Sequence, residues 1–515
     1  MSRHSSISVE NQAKAKHQEQ WIELARQQNV DVDGIEPYAP NSEAEKRLLR
    51  KLDMRIIPCC WCLYLLGYLD RANIGNAKTG GLEKDFNLSS TQYSVVLLVF
   101  FVSYVIFEIP SNLILTRVRP SLYLPALAVG WGGIAASMAG CNNWHQLAGV
   151  RFALGVIESC FNIEAGFAPG IAFYLSCWYK RYELARRFSW YYTAVACAGI
   201  VSGLLAGLIT KNLDGARGIA GWRWLFIIEG VGLEECVVGS YAVGTVVWFF
   251  MADYPSTTRW LTPEERMLAA QRMAYDGIGS TQGTEEQVKE WTAFKMTISD
   301  WKVWALALMY ALLTGSQTMQ YFIPTLVGVF GWKGWQGQYH SIPPYALALV
   351  CTLAFPWISD HYKNKPLFIM TFAGFDTIMF IILAATRNHI VRYVFTVFAF
   401  GPLFGLVPLV LMWVANVIDS PAEKRAVAIA LVNAVGNCSS IYGVFLWPKS
   451  DAPQYVAGFS ATTIFVAGIA ALAPIVAWRF NKEQGTGPLT RLGIENAMPW
   501  GRKAGKEVQI ATADV

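Results

Sequence analysis

Apolar blocks of about twenty residues alternate with short polar breaks along most of this chain. They run over 56–78, 93–115, 121–140, 145–176, 188–210 and 222–250, and again over 303–325, 340–360, 366–386, 391–416, 425–446 and 456–479. Each is long enough to cross a hydrocarbon core of about 30 Å as a helix. A polar stretch of roughly fifty residues separates the two sets. The pattern predicts an all-α membrane protein with twelve transmembrane helices in two six-helix bundles, a layout that duplication produces in many secondary transporters. The predicted parts are a polar tail over 1–54, a first bundle over 55–251, a central loop over 252–301, a second bundle over 302–480 and a tail over 481–515.

Composition sharpens the class. Of 515 residues, 54% are hydrophobic and only 15% charged, with a net charge of +5. Ordinary globular chains carry about 25% charge. No aromatic-interleaved basic patch supports nucleic-acid binding, and no metalloprotease, phosphate-loop or nucleophile-elbow motif supports an enzyme. Cys59, Cys60, Cys62, Cys160, Cys177, Cys197, Cys236, Cys351 and Cys438 lie in apolar blocks. They read as small helix residues, and the Cys59/Cys62 spacing lacks the histidine or second pair a metal site needs. No cofactor or metal is expected. Residues 1–50 show no apolar signal core, so the first span is expected to do the targeting.

Basic residues set the orientation. Lys46, Arg47, Arg50, Lys51 and Arg55 crowd the start of the first span, which predicts a cytoplasmic N-terminus. An even span count then places the C-terminus inside too. Asn87-Leu88-Ser89 becomes an external glycosylation sequon, whereas Asn437-Cys438-Ser439 falls within a span. In the central loop, Thr262-Pro263-Glu264-Glu265 is a helix-start signature, predicting a short surface helix over 263–275.

The costly residues lie inside the spans. A charge near the bilayer centre costs about 2.5–3.5 kcal/mol, so each such residue needs a purpose. Counting 1.5 Å per residue from Ile56 puts Asp70 about 9 Å below the outer face. Counting from His145 puts Arg151 at roughly the same depth and Glu158, seven residues on and on nearly the same helix face, about 20 Å deep. Asp70, Arg71 and Arg151 thus share a level, with Glu158 below them. One reading is structural: two ion pairs, each acid with one arginine. The other is functional: an anion site, because guanidinium grips carboxylate through two parallel hydrogen bonds, beside carboxyls able to exchange protons. Gly199, Gly203 and Gly207 form a small-residue ridge for close helix packing, with a gate hinge as the alternative. Glu234, Glu235 and Asp376 also fall mid-span and receive no role.

Several segments resemble a known family. Asp70-Arg71-Ala72-Asn73-Ile74-Gly75-Asn76-Ala77, Glu108-Ile109-Pro110-Ser111-Asn112 and Arg151-Phe152-Ala153-Leu154-Gly155-Val156-Ile157-Glu158 are similar to the major facilitator superfamily. More narrowly they resemble its anion:cation symporters, in the fungal allantoate permease branch. Gly221-Trp222-Arg223-Trp224-Leu225-Phe226-Ile227-Ile228-Glu229-Gly230 and Trp260-Leu261-Thr262 are similar to that branch too, and the resemblance runs from about Lys51 to Arg479. It implies the major facilitator fold and proton-coupled transport of a vitamin, ureide or other small organic anion by alternating access. Asp70 and Glu158 would couple protons; Arg71 and Arg151, with Asn73, would bind substrate; Glu108 and Asp360 would gate or pack. The implied partners are the organic anion, protons and the bilayer, with a monomeric chain in the plasma membrane or an internal one. The chain departs from the superfamily at 115–120, where the loop signature has no acid, while its second-half counterpart keeps Asp360. A proton-antiport exporter is the alternative, but the Gly-Pro-Gly-Gly element of drug antiporters is missing around Gly203 and Gly207. A receptor would call for an unusually long tail or an added domain, and neither is expected from the two ends as they read. Gln317, Tyr321, Asn416, Asn433 and Asn437 are candidate cavity residues that periodicity cannot rank.

Overall fold

The computed structural model describes residues 42–115, 120–161, 175, 178–230, 258, 260–275, 290–362, 364–418 and 422–483. Side chains of 108–128 and 159–161 lie outside that description, as do Glu234, Glu235 and the loop 116–119. The first half contains α1 (Glu43–Ala77), α2 (Ser90–Leu115), α3 (Pro120–Ser137), α4 (Trp144–Phe161), α5 (Arg181–Asn212) and α6 (Gly221–Gly230). Central helices α7 (Pro263–Tyr275) and α8 (Glu290–Ile298) follow. The second half holds α9 (Trp301–Gln317), α10 (Ile323–Val329), α11 (Trp335–His340), α12 (Ile342–Tyr362), α13 (Lys365–Ala385), α14 (His389–Val417), α15 (Ala422–Gly443) and α16 (Val456–Glu483). Among the described residues, seven helices are long and apolar enough to cross a membrane.

Local chemistry explains where these helices begin and break. Ser42 caps α1 by accepting the Glu45 amide, and the helix then runs unbroken through Pro58 into the first span. Gly81, at φ 122°, turns the chain after α1. The span expected over 303–325 is interrupted. A 3-10 segment, Thr318–Phe322, follows α9, and Pro324 opens α10. Proline has no amide to continue an α-helical ladder, so a fresh start is favoured there. Helix α7 has the expected start and reciprocal cap: Thr262 N donates to Glu265 at 3.0 Å, and Glu265 N donates to Thr262 Oγ1 at 3.2 Å.

That helix is more than a surface element. Its Arg272 is fully buried and donates to Glu45 at 2.7 Å and to Glu183. Lys180 donates to the same Glu45 at 2.9 Å. Lys51 of α1 reaches Glu265 at 2.6 Å. Burial alone would raise the Glu265 carboxyl, but hydrogen bonds from Lys51 and the Thr262 amide outweigh it and hold it below the usual value. Helix α7 is thereby fastened to the first half, on the face where α1 starts, called the tail face below. Helix α8 is fastened to the second half through Thr297 to the Lys424 carbonyl, with Lys424 on Asp300 at 2.6 Å.

The halves meet at the opposite, far face. Gln338 donates to Thr79 at 2.9 Å and to the Asn76 carbonyl at 3.3 Å. Ser94 donates to the Val444 carbonyl at 3.0 Å, Tyr93 to the Tyr321 carbonyl at 3.3 Å, and Lys449 pairs with Glu83 at 2.6 Å. The glycine ridge of α5 lies in this seam. A Cβ on Gly199 would sit 2.1 Å from the Tyr345 ring, and one on Gly207 2.5 Å from Tyr339. Tyr345 is itself packed edge-on against Phe400 at 4.8 Å, so it has no room to retreat. Gly199→Ala is therefore expected to destabilise this far-face-closed arrangement. A water-soluble maleimide should label a Gln338→Cys reporter severalfold faster in the Gly199→Ala background. Equal labelling rates would contradict this role of the ridge.

Candidate functional site

The polar centre of the first half is built by α1, α3, α4, α5 and α6. Helix α4 approaches α2 so closely that a Cβ on Gly155 would meet Ser103 Oγ at 2.1 Å and the Phe100 carbonyl at 2.5 Å. This close approach carries Arg151 and Glu158 in against α1. Asp70 is 0% exposed, Arg71 3%, Arg151 1% and Glu158 0%. Arg151 Nη2 donates to the Asp70 backbone carbonyl at 3.4 Å, so these two positions meet at one level, as the helix-rise count expected.

The pairing within this group is asymmetric. Arg71 Nε donates to Glu158 Oε1 at 2.6 Å, joining α1 to α4. The Arg71 guanidinium also lies over Tyr68, Phe100 and Tyr104, at 5.0–5.4 Å from their ring centres. Arg151 has a different environment. Phe100 lies 5.8 Å from its guanidinium carbon, and its Nε has no hydrogen-bond partner. Glu158 is thus the partner of Arg71, and Arg151 retains an unused donor.

Asn73 joins this centre in a way the sequence did not specify. It donates to Glu229 Oε2 of α6 at 2.6 Å and accepts from Ser202 of α5 at 2.6 Å. Glu229 is 3% exposed and lies against Asp70. The sequence carried a signal for it: an acid seven residues into the span starting at 222 lies about 10 Å deep, level with Asp70.

The remaining candidates are dispersed. The Glu108 side chain lies outside the described residues. Asp360 is exposed at the tail face, 3.7 Å from Lys365. Asn87 is exposed in the far-face turn between α1 and α2. Gln317 is buried and donates to the Leu403 carbonyl at 3.2 Å, and Tyr321 is buried at the seam beside Phe101. Asn433 and Asn437 are buried along α15. Asn416 does not join them. It is exposed, and its amide oxygen accepts from Lys365 at 2.9 Å once the amide is oriented by its neighbours. Its position at the end of α14, rather than its polarity, decides that. Asp376 is fully buried on α13 with neither oxygen hydrogen-bonded, and it belongs to a different half from the arginine pair.

Two packed helical halves enclosing buried charges suit a carrier, and sequence comparison gives the family. Residues 60–444 match the family described as Major Facilitator Superfamily. The chain belongs to this superfamily. It is therefore a multi-pass membrane transporter, a carrier rather than an enzyme. Among the relatives of this facilitator is "MFS transporter prlL" of a fungal species (strain NRRL 50135), 33% identical over 89% of this chain and 92% of the relative. A "Putative tartrate transporter" of Agrobacterium vitis is 28% identical over 84% of this chain and 91% of its own length. The facilitator fold also superposes on a bacterial homolog of the human lysosomal transporter Spinster, in an inward-facing, unoccupied conformation. That match has a TM-score of 0.62 at 14% identity and covers 86% of this chain and 99% of the other.

Proposed function

We propose that this facilitator takes up a small carboxylated organic solute together with protons, by alternating access, in the manner of the anion:cation symporters. The observation that carries the reading is Arg151. A guanidinium that is 1% exposed, with an Nε lacking any hydrogen-bond partner, is costly unless an anion completes it. A carboxylate is the matching ligand, because its two oxygens accept two parallel guanidinium bonds. The name of the Agrobacterium vitis relative, a putative tartrate transporter, supports a carboxylate as cargo.

The coupling follows from the neighbouring acids. Glu158 occupies Arg71. A proton on Glu158 weakens that bond and frees Arg71 to join Arg151 on the substrate carboxylate. Asp70, whose carbonyl touches Arg151, is the second protonatable group of the site. Asn73 stands behind them. With the basic cluster Lys46 to Arg55 marking the cytoplasmic side, the tail face is inside. The joined far face then closes the site to the exterior, glycosylation at Asn87 would be external, and the plasma membrane is the proposed location.

Uptake of a panel of labelled vitamins, ureides and small organic acids into cells lacking their own permeases tests the reading. At least one acid should accumulate, and a protonophore should abolish the accumulation. Efflux of acids from preloaded cells with no uptake would instead favour the exporter.

A further inference from the structure

Glu229 has no part in the scheme above, yet it is built into the same centre. Its carboxyl and that of Asp70 lie against each other between α6 and α1, and the two residues are 3% and 0% exposed. Glu229 is held there from behind. Asn76 Nδ2 donates to Ser202 Oγ at 2.6 Å, Ser202 donates to Asn73 Oδ1 at 2.6 Å, and Asn73 Nδ2 donates to Glu229 Oε2 at 2.6 Å. Because the Asn73 oxygen is already taken, its amide nitrogen must face Glu229. Trp131 of α3 closes the Asp70 side. The charged groups around the pair are Arg151 and Glu158 from α4 and Arg71 on α1 itself; α2 presents Tyr93 toward Arg151, and α5 presents the neutral Ser202.

Two carboxyl groups in contact and away from water do not both hold a negative charge; they keep a proton between them. We propose that Asp70 and Glu229 form a single proton-sharing carboxyl pair, and that this pair, rather than Asp70 alone, is where the transported proton enters the centre before Glu158 takes it up and releases Arg71. Transport of that proton rests on the symport reading above; the pair itself does not. The charges then balance. Arg71 and Arg151 contribute two positive charges, Glu158 one negative charge, and the pair with one proton a second negative charge. The resting centre is neutral. Adding the second proton to the pair leaves one excess positive charge, which a monocarboxylate cancels. A proton and an anion thus enter together without leaving a net charge buried, and each alone leaves one. This gives a physical reason for obligatory coupling.

Infrared difference spectroscopy of the purified full-length protein in lipid nanodiscs at neutral pH tests the pair without any substrate. A shared proton gives a carboxylic C=O stretching band that depends on both partners. The band should therefore be lost, relative to wild type, in Glu229→Gln and equally in Asp70→Asn. Glutamine at 229 keeps an oxygen for Asn73, so a purely structural Glu229 would leave the band intact. Both variants, each monodisperse, decide the matter together; a well-folded variant of either residue that retains the full band overturns the proposal. Loss of the band in both, with no organic acid transported, would keep the pair and reject the symport reading. Proton-coupled uptake with an unchanged band in Glu229→Gln would do the reverse.

Discussion

Arg151→Lys is expected to reach the membrane at wild-type abundance and to lose most of its affinity for the transported acid. Lysine keeps the positive charge but presents a compact ammonium in place of the planar fork. A hydrogen bond to a charged group is worth about 1.5–3 kcal/mol, so losing one weakens apparent affinity roughly 10- to 100-fold. The alternative is that Arg151 only balances a buried acid, and the geometry separates the two cases. The hydrogen-bonded partner of Glu158 is Arg71, at 2.6 Å, so Glu158→Gln has no reason to rescue Arg151→Ala. The double variant should stay inactive. Arg71→Ala should behave differently, leaving Glu158 uncompensated at a typical cost of about 3–5 kcal/mol. It should lower abundance, and Glu158→Gln should restore abundance but not transport. Wild-type transport by the Arg151→Ala, Glu158→Gln double variant would reject the anion site.

The second large effect concerns Glu158. Glutamine copies the shape of its protonated form and keeps an oxygen toward Arg71, so the helix contact between α1 and α4 survives. What it removes is the ability to gain and lose a proton during the cycle. Proton-driven accumulation should fail completely in Glu158→Gln. Exchange of labelled for unlabelled acid should continue, because exchange does not require the empty, deprotonated carrier to return. Undiminished accumulation against a gradient would take Glu158 out of the coupling.

These residues also show what the sequence can and cannot specify. The level shared by Asp70 and Arg151 was legible, because helix rise converts residue count into depth, and the Arg151 to Asp70 carbonyl bond agrees with it. Which arginine holds Glu158 was not legible. Depth does not report azimuth, and Arg71 reaches across from α1 while Arg151 lies on the same helix as Glu158. Glu229 was within reach of the same depth count. Its contact with Asp70, however, requires α6 and α1 to be neighbours, which periodicity does not encode. The α5 glycines were legible as a packing ridge, but their partners Tyr345 and Tyr339 belong to the other half. The α7 start followed from local capping chemistry. The burial of its Arg272 depends on Glu45 and Glu183, from segments far apart in the chain, so a helix that reads as solvated is in fact docked.

An organic acid and a proton are expected to cross together. The direct measurement uses purified protein in liposomes enclosing a pH-sensitive dye. Labelled acid and lumen pH are followed in the same vesicles after the acid is added outside, with the membrane potential clamped. Acid entry should acidify the lumen in step with uptake, and both signals should fall together in Arg151→Lys. Entry of the acid with no proton movement, or with lumen alkalinisation, would contradict this coupling.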